Sequence, residues 1–402
     1  MERDIHSSLS ILERIRSLSI ADWRRRLVCD PDSIHSLFVD DVDISSLFCD
    51  NPTTNDGTVR ALIVEYNRLH PATEEESRLR DEGIFQNETE RQIATLDCLC
   101  EMFGNLRFRH GRIQDYRALS NGFILLETRT KDYKLRDKGI AVCDLSSDKD
   151  FLEFTANWDD SSDPDDERAF SWQSFLCHPL PPSNSAIIVD RYLFQSRKTN
   201  KNAYIWGVNN VVDLLKKIIP DCFKGNYYVT ILFEQNQLGD GIETILNDIN
   251  HLIRRNLSER LSANQFRLII SFVAVRDPKG ETNAKIKAWK DLHNLIHDRS
   301  VFTNYYVIDA SGSLNVSGKD ERASRWQKVQ YKAILSGVDN PYQKPNSIPI
   351  ITEKKFLYKL FSSIKAAPSE AYQCYAYNFK EKRVTQCLEQ SIENNLISFR
   401  SI

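Results

Sequence analysis

Three continuous apolar runs constrain this chain more than any other feature: residues 186–194 (AIIVDRYLF), 227–233 (YYVTILF) and 266–275 (FRLIISFVAV). Each has the length of a strand, and none alternates apolar with polar residues as a sheet with one wet face would require. Unbroken apolar character is what a strand needs when both faces of its sheet are covered. Between the first two runs, residues 208–219 (VNNVVDLLKKII) carry helical spacing and stop at Pro220. Between the second and third, a long helix is predicted over 241–261, with Ile242, Ile245, Ile249, Leu252 and Ile253 on one face. Strand–helix–strand–helix–strand at this spacing predicts an α/β sandwich whose parallel strands are joined by crossover helices. No GxGxxG or GxxxxGK[ST] loop follows any of these strands, which disfavours dinucleotide and P-loop nucleotide binding.

Downstream, KIKAWKDLHNLI predicts a further short helix, and residues 296–315 (IHDRSVFTNYYVIDASGSLN) predict two strands paired as a hairpin. His297 and Arg299 open this stretch, Asn304 lies within it, and it closes on Gly312-Ser313-Leu314-Asn315. In an extended strand, residues two apart share a face. His297 and Arg299 would then project together, one able to titrate near neutral pH and one permanently cationic, a pairing suited to gripping phosphate. The plain structural alternative is a buried hydrogen-bonded cluster in which Asp298 pairs with an arginine. His293, four residues before His297, reads either as a local partner for it or as a polar helix residue. A basic segment with Trp326 and a proline-rich segment follow, and residues 356–364 and 382–399 predict closing helices. Val384, Cys387, Leu388, Ile392 and Leu396 would line one side of the last.

At 402 residues the chain is comfortable for two domains. In its first half, helices are predicted over 5–27, 59–70 and 87–103, and short strands over 123–128 and 139–143. Arg107, Arg109, His110 and Arg112 cluster around Phe108 as the most basic patch of that half. Residues 159–167 (DDSSDPDDE) hold six acids in nine residues with no apolar side chain, the composition of a solvated linker. The expected division is a mainly helical α+β domain over 1–158, a linker over 159–182, an α/β domain over 183–345 and a helical extension over 346–402. A net charge of -3 argues against a uniformly basic nucleic-acid binder and leaves room for a local basic site. The nine cysteines include one CxC, Cys98 and Cys100, without partner pairs at zinc spacing, so neither metal nor cofactor is expected. Unpaired cysteines of this kind suit a reducing, cytoplasmic compartment. No apolar run approaches the ~20 residues needed to span a bilayer, so membrane insertion is not expected.

The series His297, Arg299, Asn304, followed by Gly312-Ser313-Leu314-Asn315, resembles the phospholipase D superfamily, whose mark is HxKxxxxD and then GSxN. The resemblance covers residues 183–315 and implies a phospholipase D-like α/β sandwich. It further implies catalytic positions at His297, Arg299 and Asn304, substrate-binding positions at Ser313 and Asn315, and metal-independent phosphodiesterase or nuclease chemistry. In that chemistry His297 would attack phosphorus and Arg299 would stabilise the charge on the transferring group. The implied partner is nucleic acid or another phosphodiester, and the superfamily's habits suggest a bacterial antiviral defence or accessory role. Two departures matter. Arg299 replaces the family lysine and keeps the charge, whereas Asn304 replaces the aspartate and cannot stabilise an imidazolium. Catalytic members use two histidines, and Asp190-Arg191-Tyr192, the nearest candidate for a degenerate first motif, has none; turnover would call for a homodimer. The His-Asp-Arg wording is also similar to the phospholipase D-like C-terminal domain of MIT-domain proteins, which binds rather than hydrolyses. That likeness implies the alternative of a non-catalytic protein-interaction or scaffold module.

Overall fold

The structure is a computed structural model. It describes residues 4–7, 35–39, 106–110, 122–126, 137, 139, 142–144, 155–159, 172, 176, 180–194, 204–235, 238, 241–264, 266–276, 290, 292–297, 299–310, 314, 328–333, 349–367 and 371–396. Five strands in the first part, β1 (Asp4–Ser7), β2 (His35–Val39), β3 (Leu106–His110), β4 (Gly122–Leu126) and β5 (Val142–Asp144), form an all-parallel sheet in the order β3-β2-β1-β4-β5. Parallel neighbours need long connections, which fits the wide separation of these strands in sequence. The expected strands at 123–128 and 139–143 overlap β4 and β5. The helix expected to start at Ile5 is a strand there instead; its remainder, and the helices expected over 59–70 and 87–103, lie outside the described residues.

The second sheet has nine strands in the order β14-β13-β9-β8-β7-β10-β11-β12-β6. Its middle is the predicted parallel unit: β7 (Ser185–Val189), helix α1 (Ile205–Ile218), β8 (Asn226–Glu234), helix α2 (Ile242–Asn256) and β9 (Arg267–Val275). Antiparallel strands β10 (Ser300–Thr303), β11 (Tyr306–Ala310), β12 (Lys328–Ala333) and β6 (Thr155–Asp159) extend it on the β7 side. Residues 159–182 read from sequence as a linker, yet Asp159 ends β6, and Trp172 and Leu176 are buried in the core. The backbone N–H of Trp172 donates to Asp213 Oδ2 of α1 at 2.9 Å.

The unbroken apolar runs follow from burial on both faces. Along β7, Ala186 and Ile188 join one core with α1 and α2, while Ile187 and Val189 join another on the opposite face. Along β9, Phe272 and Ala274 take the first core and Val273 and Val275 the second. Helix α4 (Pro349–Ala366) covers the second face through Leu357, Leu360, Phe361 and Ile364. Among the described residues no helix is long and apolar enough to cross a membrane.

Two helix predictions need correction. The helix predicted over 241–261 breaks at Leu257, which sits in the core, and resumes as α3 (Ser258–Asn264). The helix predicted over 382–399 is not formed. β13 (Tyr372–Asn378) and β14 (Arg383–Cys387) pair antiparallel on the β9 edge, and a 3-10 turn, Glu389–Ser391, follows. Asn378 Oδ1 accepts from the backbone N–H groups of Lys380 (2.9 Å) and Glu381 (3.2 Å), and Lys382 adopts φ 54°, a local turn chemistry that ends any helix. Pairing with β9 then outweighs the helical spacing. The hairpin is fastened to α2: Asn247 Nδ2 donates to Val384 O at 3.1 Å, and Val384 N donates to Asn247 Oδ1 at 2.6 Å. Arg254 lies 4.0 Å from the Tyr377 ring centroid and donates through Nε to Asn250 Oδ1. We expect Asn247→Ala to lower stability by about 1–3 kcal/mol, seen as a lower urea midpoint and faster hydrogen exchange at Val384. An unchanged midpoint and exchange rate would rule the fastening out.

Candidate functional site

The carboxyl ends of β7 and β8 meet the start of β10, where the sheet changes from parallel to antiparallel. Crevices beyond the carboxyl ends of strands are where open α/β sheets bind ligands. Four residues beyond β7 form a turn whose backbone ties the crevice together. Arg191 N donates to Ile296 O at 3.0 Å, and Glu234 N donates to Arg191 O at 3.1 Å. Helix α1 presses directly on this turn: a Cβ at Gly207 would lie 1.9 Å from the Leu193 carbonyl oxygen. Only glycine allows that approach.

The structure brings His297 and Arg299 together, though by a different route from the one expected. They do not lie side by side in an extended strand. Residues 292–295 are helical, and His297 stands in the turn that ends them, its N–H donating to Asn294 O at 3.2 Å. Arg299 precedes β10, and its carbonyl accepts from Ala310 N at 2.9 Å. Both converge on Tyr192. The His297 ring meets the tyrosine edge-on at a centroid distance of 6.1 Å, and the Arg299 guanidinium carbon lies 5.5 Å from the ring centroid. Arg191 approaches the same ring at 4.9 Å. His297 is exposed, whereas Arg299 and Tyr192 are half-buried.

Behind this front stands a carboxylate. Glu234 ends β8, is buried, and pairs with the Arg191 guanidinium; His293 Nε2 lies 3.8 Å from the same Glu234 oxygen. In the sequence Arg191 and Tyr192 stood only within a degenerate first motif without a histidine and Glu234 had no assigned role, while His293 meets the Glu234 carboxylate as well as belonging to a helix. A signal was present for two of them: Glu234 is an acid closing an otherwise apolar strand, and Arg191 is a cation just past another. The cluster therefore offers two guanidiniums and two imidazoles on one aromatic ring and one buried carboxylate, an arrangement able to hold an anion through charge-assisted hydrogen bonds.

Asn304 does not join this cluster. It sits at the other end of β10, five residues from Arg299 and roughly 16 Å along an extended strand. There it is buried, its Oδ1 accepting from the N–H groups of Asn184 (3.0 Å) and Ser185 (3.1 Å) and its Nδ2 donating to Asn184 Oδ1 (3.0 Å). Grouping it with His297 by motif spacing is corrected by this position; its observed work is to fasten the β10–β11 turn to the start of β7. Of Gly312-Ser313-Leu314-Asn315, only Leu314 is described; its N–H donates to Asp190 Oδ2 at 2.8 Å, next to the Arg191 turn. Ser313 and Asn315 lie outside the described residues. Among the described residues no group of three or more His, Cys, Asp or Glu side chains could hold a metal ion.

Compared with known proteins, the chain matches no family model, no curated protein and no solved structure.

Two substitutions separate the roles of these residues. Asn304→Ala removes three buried hydrogen bonds and should cost about 2–4 kcal/mol of stability, read by denaturant titration. Asn304→Asp, the acid that the HxKxxxxD pattern carries at that place, should leave any anion binding at the Tyr192 cluster unchanged in a binding titration.

Proposed function

We propose that the C-terminal half of this protein recognises a phosphodiester, most naturally in a nucleic acid, at the Tyr192 crevice and binds it without turnover. The observation that carries this reading is the convergence of exposed His297 and half-buried Arg299 on the Tyr192 ring at the carboxyl ends of the parallel strands. Arg299 brings a guanidinium against the Tyr192 ring, the kind of planar cation that suits phosphate oxygens. His297 supplies a second donor from the solvent side. Arg191 is ion-paired with the Glu234 carboxylate behind the ring, which offsets its charge and fixes its side chain against Tyr192.

The finer resemblance to the phospholipase D superfamily belongs to the same proposal, as does a place in bacterial defence. In that superfamily a second histidine serves as acid, and a homodimer that apposes two His297 side chains is the arrangement that would convert binding into hydrolysis. Asn304 supports the non-hydrolytic form of the reading, because no carboxylate reaches His297 from that position.

Fluorescence anisotropy with labelled single- and double-stranded oligonucleotides across a salt series tests the proposal. Arg299→Ala should weaken binding by about tenfold, roughly 1.4 kcal/mol, and reduce the slope of log K against log salt by about one. His297→Ala should weaken it less. An affinity and salt slope unchanged by Arg299→Ala would end the phosphate-site reading. Cleavage in EDTA by wild type but not by His297→Ala would replace it with the phosphodiesterase.

A further inference from the structure

β13 and β14 place two thiols opposite one another. In the register of this hairpin Cys374 is the direct partner of Cys387, and both are free cysteines. Cys374 is 3% exposed and packs in the core on the α4 face, while Cys387 is half-buried at the sheet edge. The pair type follows from the neighbours. Val384 turns its N–H and C=O to Asn247, away from β13, so the alternate residues Arg383, Thr385 and Cys387 are the ones that bond across the hairpin. On the other side, the Arg276 N–H bonds to Ala371 O, which directs odd-numbered residues of β13 to β9 and even-numbered ones, Cys374 among them, to β14. Cys374 and Cys387 thus form a hydrogen-bonded antiparallel pair, with a Cα separation of about 5.5 Å for that pair type. That separation lies within the range that a disulfide spans.

We propose that Cys374 and Cys387 are an oxidative modification site, closing to a reversible disulfide on the edge hairpin with a low-molecular-weight disulfide such as oxidised glutathione as oxidant. Cys387, the more accessible, reacts first. Its sulfur loses a proton to solvent, attacks one glutathione sulfur and releases one glutathione thiolate. Cys374 then loses its proton and attacks the Cys387 sulfur, releasing the second glutathione. Two protein thiols become one disulfide, and oxidised glutathione becomes two reduced molecules.

The geometry also sets the character of the bond. Side chains of a hydrogen-bonded pair stand farther apart than those of the alternate pair, whereas a disulfide draws its Cβ atoms to about 3.8 Å. Closure therefore strains the hairpin, and a strained disulfide is readily reduced. Burial, with the nearby Glu389 carboxylate, pushes the Cys387 thiol up to about 11, and burial followed by Cys387 and Glu389 pushes Cys374 up further. Few thiolates are present at neutral pH, so oxidation is slow and follows a sustained change in redox poise rather than a brief pulse.

The full chain is equilibrated in buffers of rising oxidised-to-reduced glutathione ratio, quenched with acid, alkylated and digested with trypsin, which cuts after Lys380, Lys382 and Arg383 and separates the two cysteines. A cross-linked Cys374–Cys387 peptide pair should appear as the ratio rises, alkylation of both thiols should fall by about tenfold, and dithiothreitol should reverse both. Cys387→Ser, at the half-buried position and checked for folding by circular dichroism, should leave Cys374 reduced throughout. The exposed Cys222 reports that the oxidant acted. Glutathione on Cys222, or on Cys387, with no cross-linked pair at any ratio overturns the proposal.

Discussion

A buried carboxylate at the end of β7 holds the crevice in shape. Asp190 has no solvent access, and a carboxylate in that position is stable only where hydrogen bonds replace its hydration. Its Oδ1 accepts from the N–H of Tyr192 and its Oδ2 from the N–H of Leu314, each at 2.8 Å, while its own N–H donates to Leu232 O at 3.1 Å. One side chain thus fixes the turn that presents Arg191 and Tyr192, the approach of the segment around Leu314, and the position of both relative to β8. The ring on which His297 and Arg299 converge is placed from this point. Removing the carboxylate would free two backbone donors in a water-excluded site, so the crevice and the fold at this corner stand or fall together.

The central parallel unit was legible because its evidence is local and redundant. Strands buried on both faces must be apolar throughout, and the helices between them carry one apolar stripe each, so unbroken apolar runs alternate with helical spacing along the sequence. The end of the chain was not legible for the same reason in reverse. Val384, Cys387, Leu388, Ile392 and Leu396 satisfy a helical spacing, but the decision was made elsewhere, by the free edge of β9 and the turn at Asn378–Lys382. Sequence spacing records which residues are apolar; it does not record which edge awaits them.

The candidate site was legible in part. His297 and Arg299 were found because a histidine and an arginine two apart before an apolar hairpin are conspicuous, and they do share a neighbour. Asn304 shows the limit of reading by motif. Its spacing from His297 places it across the length of β10, where an amide that donates to one group and accepts from two others answers a structural need at the start of β7. Glu234 and His293 come from segments some sixty residues apart in sequence, and only the crossover through α2 and β9 returns the chain to the place where they meet. No local pattern encodes such a meeting.

The two backbone bonds between Asn247 and Val384 have a bearing on assembly. An outer strand normally leaves a row of unpaired N–H and C=O groups that can take another strand from a second molecule. At Val384 the helix side chain already occupies one donor and one acceptor of that row, so a neighbour's strand would have to displace the amide before it could pair. Continuation of this nine-stranded sheet from one molecule to the next is therefore obstructed at Val384 on the β14 edge.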